Sequence, residues 1–377
     1  MKKRFVRFLS LFLTLIFSVG FFAACDLASC IEGLRELGLN YELNEDGKTY
    51  AVSAYYHLDN TTGYEVDIPK RHKGKKVTKI KNAAFTGSDG VISVSIPDTV
   101  TEIGTWAFSD CTALETVVLP AYLKRIEKET FDNCPKLKNI TIPSTVEYIG
   151  DHAFRGCGDI GNLVLPESVT TLGIGVFDAG IYGFPYTCDD EGGMMYYGTK
   201  AKPYMVAARA YENREHVTVK DGCEQLQASC FWRSHETLQT VDIPQSVTYI
   251  GADAFIWCWE LQKVVIPDKV KEIFPDTFER CYKLTEITIG AALEELPYSA
   301  FLKTSNIEKM TFNNPEGWYF ESRIKGTDDR TLQLKTETLS DPTTAAAAWN
   351  SFYYDDSRID NYIFTKNPKQ EPNRPSV

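Results

Sequence analysis

The sequence predicts a mainly β repeat solenoid, and three observations predict it. Pro97, Pro120, Pro143 and Pro166 stand 23 residues apart, and Pro244, Pro267 and Gly290 repeat that spacing. Counting from each, an aliphatic sits three residues on (Val100, Leu123, Val146, Val169, Val247, Val270, Leu293) and another six on (Ile103, Ile126, Ile149, Leu172, Ile250, Ile273, Leu296). A phenylalanine sits eleven on, at Phe108, Phe131, Phe154, Phe177, Phe255, Phe278 and Phe301. Degenerate copies with Gly74, Val77, Ile80 and Phe85, and with Lys220, Cys223, Leu226 and Phe231, bring the array to nine coils. A coil this short cannot bury its own apolar face, so its neighbours must cover it.

The chain opens with Lys2, Lys3, Arg4 and Arg7, followed by the apolar run 8–22, which is too short for a comfortable membrane span. This is the layout of a secretory signal. Ala23-Ala24-Cys25 follows and resembles the lipobox of bacterial lipoproteins, in which the cysteine becomes the lipidated first residue. Phe22 departs from the usual aliphatic of that box. Leu27-Ala28-Ser29-Cys30 fits the letters better but places Asp26 between the apolar run and the cleavage site. Cys25 is therefore the expected lipidation site and Cys30 the alternative. Residues 1–24 read as the signal peptide and 25–39 as a tether.

Each coil then reads in order. Val117-Val118-Leu119-Pro120 alternates with period two and ends in a residue that cannot extend a ladder, which predicts a short first strand. Val146 to Ile149 predicts a second extended piece, Gly150 a turn, and Ala153-Phe154 the start of a tight helical turn. Nine coils at ~4.8 Å each make a stack roughly 45 Å long. The outward row of the first strands is Ser95, Val118, Thr141, Val164, Thr218, Asp242, Val265, Thr288 and Thr311. Seven of these nine are β-branched, which strand propensity explains without a ligand.

Small residues flank each phenylalanine. Three positions after it stand Ser88, Cys111, Cys134, Cys157, Gly180, Ser234, Cys258, Cys281 and Thr304, and Cys230 directly precedes Phe231. Cysteine alternates here with residues that cannot form a disulfide, so the expectation is free buried thiols acting as small fillers. Cys223 falls at an aliphatic position and reads as core. Cys25, Cys30 and Cys188 are left without that explanation.

The pattern of Ile140 to Cys157, Ile-x-Ile-Pro-x-x-Val-x-x-Ile-Gly-x-x-Ala-Phe-x-x-Cys, resembles the BspA-like (Treponema pallidum-type) leucine-rich repeat. The resemblance implies a right-handed solenoid on a secreted bacterial surface protein, often linked to adhesion. The family supplies no common catalytic residues. Residues 40–73 look like its N-terminal β cap, and 74–312 form the repeat domain.

Two regions break the period. Between Pro166 and Lys220 lie two periods plus 8 residues, with the excess at about 180–216. Asp189-Asp190-Glu191-Gly192-Gly193 is a turn signal and Met194 to Tyr197 a strand, which together predict a hairpin-like excursion leaving the solenoid and returning at Val217. The acids there miss the calcium-loop spacing and read as a solvated turn. After Phe312, Asn313-Asn314-Pro315 turns the chain, Trp318-Tyr319-Phe320 offers bulk over the last coil, Asp341-Pro342 opens a helix over 343–353, and 361–365 reads as an edge strand. These make a C-terminal cap at 313–366. Pro368, Pro372 and Pro375 mark a disordered tail at 367–377.

The charge balance excludes one class of partner. Net charge is −11, and without the first 24 residues 36 basic stand against 51 acidic residues, or −15, the wrong sign for a nucleic-acid binder. None of His57, His72, His152, His216 and His235 shares metal-ligand spacing with another, and no hydrolase, metalloprotease, phosphate-loop or dinucleotide motif is present. No cofactor and no enzyme activity are expected.

The turn after each phenylalanine differs between halves. Thr86, Ser109, Asp132, Arg155 and Asp178 adjoin it in the first half; Trp232, Ile256 and Leu302 do so in the second. Trp257 and Trp259 adjoin these, and Tyr282 repeats the register of Trp259 one coil later. Aromatics on successive coils would form an apolar stripe able to bind a glycan or a protein. The competing expectation is that the insertion or a flanking loop covers it. The functional expectation is a membrane-anchored bacterial surface lipoprotein that binds an extracellular protein or glycan. The alternatives are a structural envelope module without a ligand, or a secreted hydrolase with its site in the insertion.

Overall fold

The computed structural model describes residues 38–54, 63–158, 160, 163–178, 187–189, 191–304, 307–322, 331–333, 335–351 and 362–366. The signal peptide, both candidate lipidation cysteines, nearly all of the tether and the tail lie outside them. No helix of the described residues is long and apolar enough to cross a membrane.

The coils stack into a mainly β solenoid held by three ladders of main-chain hydrogen bonds. First strands pair in parallel from Tyr64–Asp67 through Val91–Ser95 and Thr116–Val118 to Asn139–Ile140. They resume from His216–Thr218 through Thr240–Asp242, Lys263–Val265 and Glu286–Ile289 to Lys309–Phe312. Second strands, only a few residues long, pair in the same way, for example Arg125–Ile126, Tyr148–Ile149 and Thr171–Leu172. The third ladder runs through the turns. Phe85 N–H donates to Ala107 O at 2.7 Å, Phe108 to Thr130 O at 2.9 Å and Phe131 to Ala153 O at 2.9 Å. The turn itself carries successive i→i+3 bonds, such as Ser109 N–H to Trp106 O, and is a regular 3₁₀ helix at Trp232–Ser234 and Tyr298–Phe301. Coils approach too closely at the second-strand turn for a side chain: a Cβ on Gly150 would lie 2.5 Å from Lys128 N.

Repetition aligns like side chains. All nine repeat phenylalanines are buried. Phe85, Phe108, Phe131, Phe154 and Phe177 stack face to face at 5.1, 5.5, 5.4 and 6.2 Å. A second stack joins Phe231, Phe255, Phe278 and Phe301 at 4.6, 5.1 and 5.1 Å. The cysteines at the third position after Phe are free and buried, and most also donate. The thiols of Cys111, Cys134 and Cys157 reach the carbonyls of Phe85, Phe108 and Phe131 in the preceding coil at 3.1, 3.1 and 3.0 Å. Cys281 does the same to Phe255 O at 3.2 Å, and Thr304 to Phe278 O at 2.5 Å. A position that alternates Cys with Thr is thus a small hydrogen-bond donor as well as a filler. Burial pushes the thiols of Cys111 and Cys223 up to about 12.

The insertion is a hairpin, but it does not leave the stack. Thr187–Asp189 pairs antiparallel with Met194–Tyr197, which pairs antiparallel with Val206–Ala210, and that strand runs parallel to Gln225–Leu226. Side chains on either side of these strands enter opposite cores by the two-residue strand period, reset once where Ala208 bulges from the pairing. Tyr197, Val206 and Ala208 pack with the coils before the insertion, while Tyr196, Ala207 and Ala210 pack with those after it. Strands apolar on both faces belong in an interior, and this is why Met194–Tyr197 and Val206–Ala210 form a wall rather than an excursion. Ala210 N–H donates to Cys230 O at 2.7 Å, taking the place of a preceding coil in the turn ladder. Tyr197 lies edge-on against Phe177 at 5.2 Å, as Trp349 of the C-terminal cap lies against Phe301 at 5.3 Å. The wall ends the first stack much as the cap ends the second.

Side chains then bridge the break. The Gln225 amide accepts Gly175 N–H at 3.2 Å and donates to Gly173 O at 2.6 Å. Gln227 donates to Phe177 O. The buried Asp178 carboxylate accepts Tyr249 Oη at 2.6 Å and Ala228 N–H at 3.0 Å. Burial first, and the neighbouring Asp178 second, raise the Tyr249 phenol well above its ordinary range.

At the N-terminal end Leu39–Leu43 pairs antiparallel with Tyr50–Ala54, which is parallel to Lys75–Ile80 of the first coil. At the other end the helix Pro342–Ser351 starts at Asp341, whose carboxylate accepts Thr344 N–H at 2.8 Å. Trp318, Trp349 and Phe364 are buried over the last coil. Tyr362–Thr365 is an interior strand rather than an edge, because it pairs with both Glu295–Pro297 and Tyr319–Ser322.

Candidate functional site

Two columns of left-handed backbone border the phenylalanine turns. The column two residues after Phe holds Gly87, Asp110, Asn133 and Gly156 in the first half, with φ between 53° and 68°. These residue types visit that region at little cost. In the second half the same column holds Trp257, Arg280 and Lys303, with φ of 62°, 59° and 57°. The fold therefore tolerates a small residue there, and this chain places bulky ones. An L-residue in this region costs of order 1–2 kcal/mol.

Trp257 does not recover that cost by burial, since it is 37% exposed. Its ring lies under the Arg280 guanidinium at 5.2 Å, a distance at which the ring quadrupole attracts the cation. Arg280 is also 3.1 Å from Glu279. One coil earlier, Trp232 is 52% exposed and stacks on His235 at 6.1 Å and 13°. His235 meets Trp259 edge-on at 5.4 Å, and its main-chain O accepts Trp259 N–H at 3.0 Å. Trp232, His235 and Trp259 thus form one cluster spanning two coils, and Trp257 with Arg280 a second.

The other predicted residues stand apart. Tyr282 is 49% exposed, and no ring contact joins it to Trp259 among the described residues. Ile256 is half-buried, and Leu302 packs against the core. His235 and Arg280 were not singled out from the sequence. Both were findable: Arg280 follows Trp257 by one 23-residue period, and His235 stands four residues after Phe231, as Trp259 does after Phe255 and Tyr282 after Phe278. A further exposed tryptophan, Trp106 at 41%, sits in the other left-handed column with φ 56° and donates its Nε1 to Glu129 at 2.5 Å. On the first-strand face Val118 and Val164 are exposed, as an outward strand row is.

Chemistry elsewhere is sparse. No group of three or more His, Cys, Asp or Glu side chains is arranged to hold a metal among the described residues. In the first-half turns Arg155 makes paired, part-buried bonds of 2.6 and 2.8 Å to Asp132 of the preceding coil.

The family model described as BspA type Leucine rich repeat region matches six copies over residues 55–180 and 208–317. Among solved structures the chain is similar to a leucine-rich repeat protein from Bacteroides ovatus, at 22% identity over 73% of this chain and 93% of that one, with a TM-score of 0.38. It is similar to a leucine rich cell surface protein from Faecalibacterium prausnitzii, at 21% identity over 79% and 96%, TM-score 0.36. It is also similar to the pneumococcal vaccine antigen PcpA, at 20% identity over 74% and 86%, TM-score 0.44. No curated protein matches it. The family match spans more than half of the sequence and coincides with the coils described above: the chain belongs to the BspA type leucine-rich-repeat family.

Proposed function

We propose that the chain is a bacterial cell-surface lipoprotein whose solenoid binds an extracellular protein or glycan without catalysis, through the turn face that carries Trp232, Ile256, Trp257, Trp259, Tyr282 and Leu302. The observation that carries this reading is Trp257. It is an exposed indole held at a φ of 62° in a column where the first half of the fold uses only Gly, Asp or Asn. Strain at an exposed aromatic that contributes little to the core belongs to a surface shaped for contact. Attachment is through a lipid on Cys25, or alternatively Cys30.

The test screens the chain against glycan and matrix-protein arrays, then compares Trp257→Asn with the parent on any ligand found. The substitution installs the residue that Asn133 supplies at the same register, so the fold should remain intact and binding should fall at least tenfold. Intact binding in Trp257→Asn, and in the double variant Trp257→Ala, Trp259→Ala, would remove the site. Anchoring is read by fatty-acid analogue labelling. Labelling that survives Cys25→Ala but not Cys30→Ala moves the lipid to Cys30.

A further inference from the structure

The first coil carries a feature that the other coils lack. In eight coils the link between first and second strands is a turn closed over three residues, as in Val100 N–H to Pro97 O or Val270 N–H to Pro267 O. In the first coil the equivalent bond runs from Val77 N–H to Lys70 O, so four more residues are enclosed. They form a finger: Arg71–His72 pairs antiparallel with Lys75–Lys76 around a two-residue turn in which Lys73 and Gly74 have φ of 46° and 77°. Positive φ at both central residues is the geometry of a hairpin turn that normally prefers Asn-Gly, yet here a lysine is held at the tip.

The finger is rigid and cationic. His72 is clamped between Tyr41, stacked on it at 3.8 Å, and Tyr50, edge-on at 5.0 Å. From Pro69 to Lys81 the sequence has Lys70, Arg71, Lys73, Lys75, Lys76, Lys79 and Lys81 and no acid, in a chain of net charge −11. Lys79 pairs with Glu102 at 2.6 Å, and Lys81 pairs with Glu42. Lys70, Arg71, Lys73, Lys75 and Lys76 make no ion pair among the described residues, although Arg71 donates to Gly74 O and Lys75 to Gly47 O. The nearby carboxylate of Asp46 accepts from its own turn at Lys48 and Thr49. Lysine predominates over arginine, which suits a diffuse negative surface better than a single bidentate partner.

The position of the finger selects the surface. It belongs to the first coil, and only 12 residues separate Cys25 from Gly38, the first described residue. Fully extended, that tether reaches about 45 Å. We propose that the Lys70–Lys76 finger docks on the anionic lipid headgroups of the membrane that holds the chain. It sets the first coil at the membrane and leaves the later coils, which carry the aromatic turns, farther along the stack. This rests on the lipid-anchor reading above, but its own test does not use the lipid.

The test takes the chain from residue 25 on, without acyl groups, and measures its co-flotation with vesicles of phosphatidylcholine alone or mixed with phosphatidylglycerol. Binding is expected only to the mixed vesicles. It should vanish near ~1 M salt, where charges are screened beyond ~3 Å. Lys70→Gln, Lys73→Gln, Lys76→Gln should weaken partitioning about a hundredfold, the worth of three surface cations. Two control triples keep folding and net charge in view: arginine at the same three positions should retain binding, and so should Lys136→Gln, Lys138→Gln, Lys269→Gln. Equal binding to neutral vesicles, an unaffected finger triple, or equal loss in the distant triple overturns the proposal. So does capture by a soluble polyglycerol phosphate without any binding to vesicles, which would assign the finger to a wall polymer. Failure of fatty-acid labelling removes the anchor and leaves the vesicle result standing on its own.

Discussion

The break between the two stacks offers the sharpest test of how the solenoid is joined. Gln225→Leu keeps the side-chain volume and removes the amide that meets the preceding coil. In the unbroken part of the array, the main-chain N–H equivalent to Gly175 finds a carbonyl of the next coil, as Trp106 N–H finds Lys128 O at 3.1 Å. At the break that carbonyl is replaced by Gln225 Oε1, and Gly175 is buried. The leucine variant leaves one buried N–H without a partner at a cost of ~1–3 kcal/mol, and a part-buried Gly173 carbonyl at somewhat less. The sum is about 2–4 kcal/mol. The assay is urea unfolding followed by ¹⁹F resonances of fluorotryptophan. Trp106 alone reports on the coils before the wall, and Trp232, Trp257, Trp259, Trp318 and Trp349 report on those after it. The expected result is an earlier midpoint for Trp106 than for the later five, because the first stack loses its downstream support. Coincident transitions with a loss under ~0.5 kcal/mol would refute the idea that this amide stands in for a missing coil.

Four further outcomes follow from the packing and the backbone. Cys111, Cys134, Cys157, Cys223, Cys230, Cys258 and Cys281 should stay silent to a thiol reagent in the native state and react on denaturation, because all seven are buried and free. Their raised thiols also set a pH response: the unfolded chain begins to release thiol protons near pH 9 while the folded chain holds those of Cys111 and Cys223 until about 12, so stability falls as pH climbs between the two. Gly150→Ala places a Cβ 2.5 Å from Lys128 N and 2.8 Å from Glu127 C, main-chain atoms that cannot yield cheaply, and should cost about 1–3 kcal/mol by calorimetry. Trp257→Asn should hold or raise the melting temperature, since it relieves a left-handed tryptophan; a clear drop would show that the indole is a packing element.

The coils were legible because a 23-residue period repeats its constraints nine times, and each anchor in it has a single steric role. Pro97 closes a strand, Val100 and Ile103 point inward, and Phe108 fills the axis; all three apolar residues are buried. The cysteine column was half legible. Size and burial follow from its alternation with Ser, Gly and Thr, but donation to the preceding Phe carbonyl emerges only when coils are stacked. The wall was not legible. Met194 to Tyr197 reads equally as an exposed hairpin or a strand buried on both faces, and periodicity cannot separate the two. In the turn-face patch, the register located Trp257 and Tyr282. It also sets His235 beside Trp259, each four residues after its phenylalanine, but not the stacking of Trp232 on His235, which depends on one local 3₁₀ turn.

A stack of coils pulled from its ends offers no resistance beyond the last intact layer, so it peels one layer at a time. The strands Met194–Tyr197 and Val206–Ala210 interrupt that sequence. They run antiparallel to each other, and their side chains are rooted in both cores. A tear arriving from either side must strip a strand whose other face remains held by intact layers. Force applied to one end of this molecule is therefore arrested partway, and the half beyond the arrest keeps its shape while the other unravels.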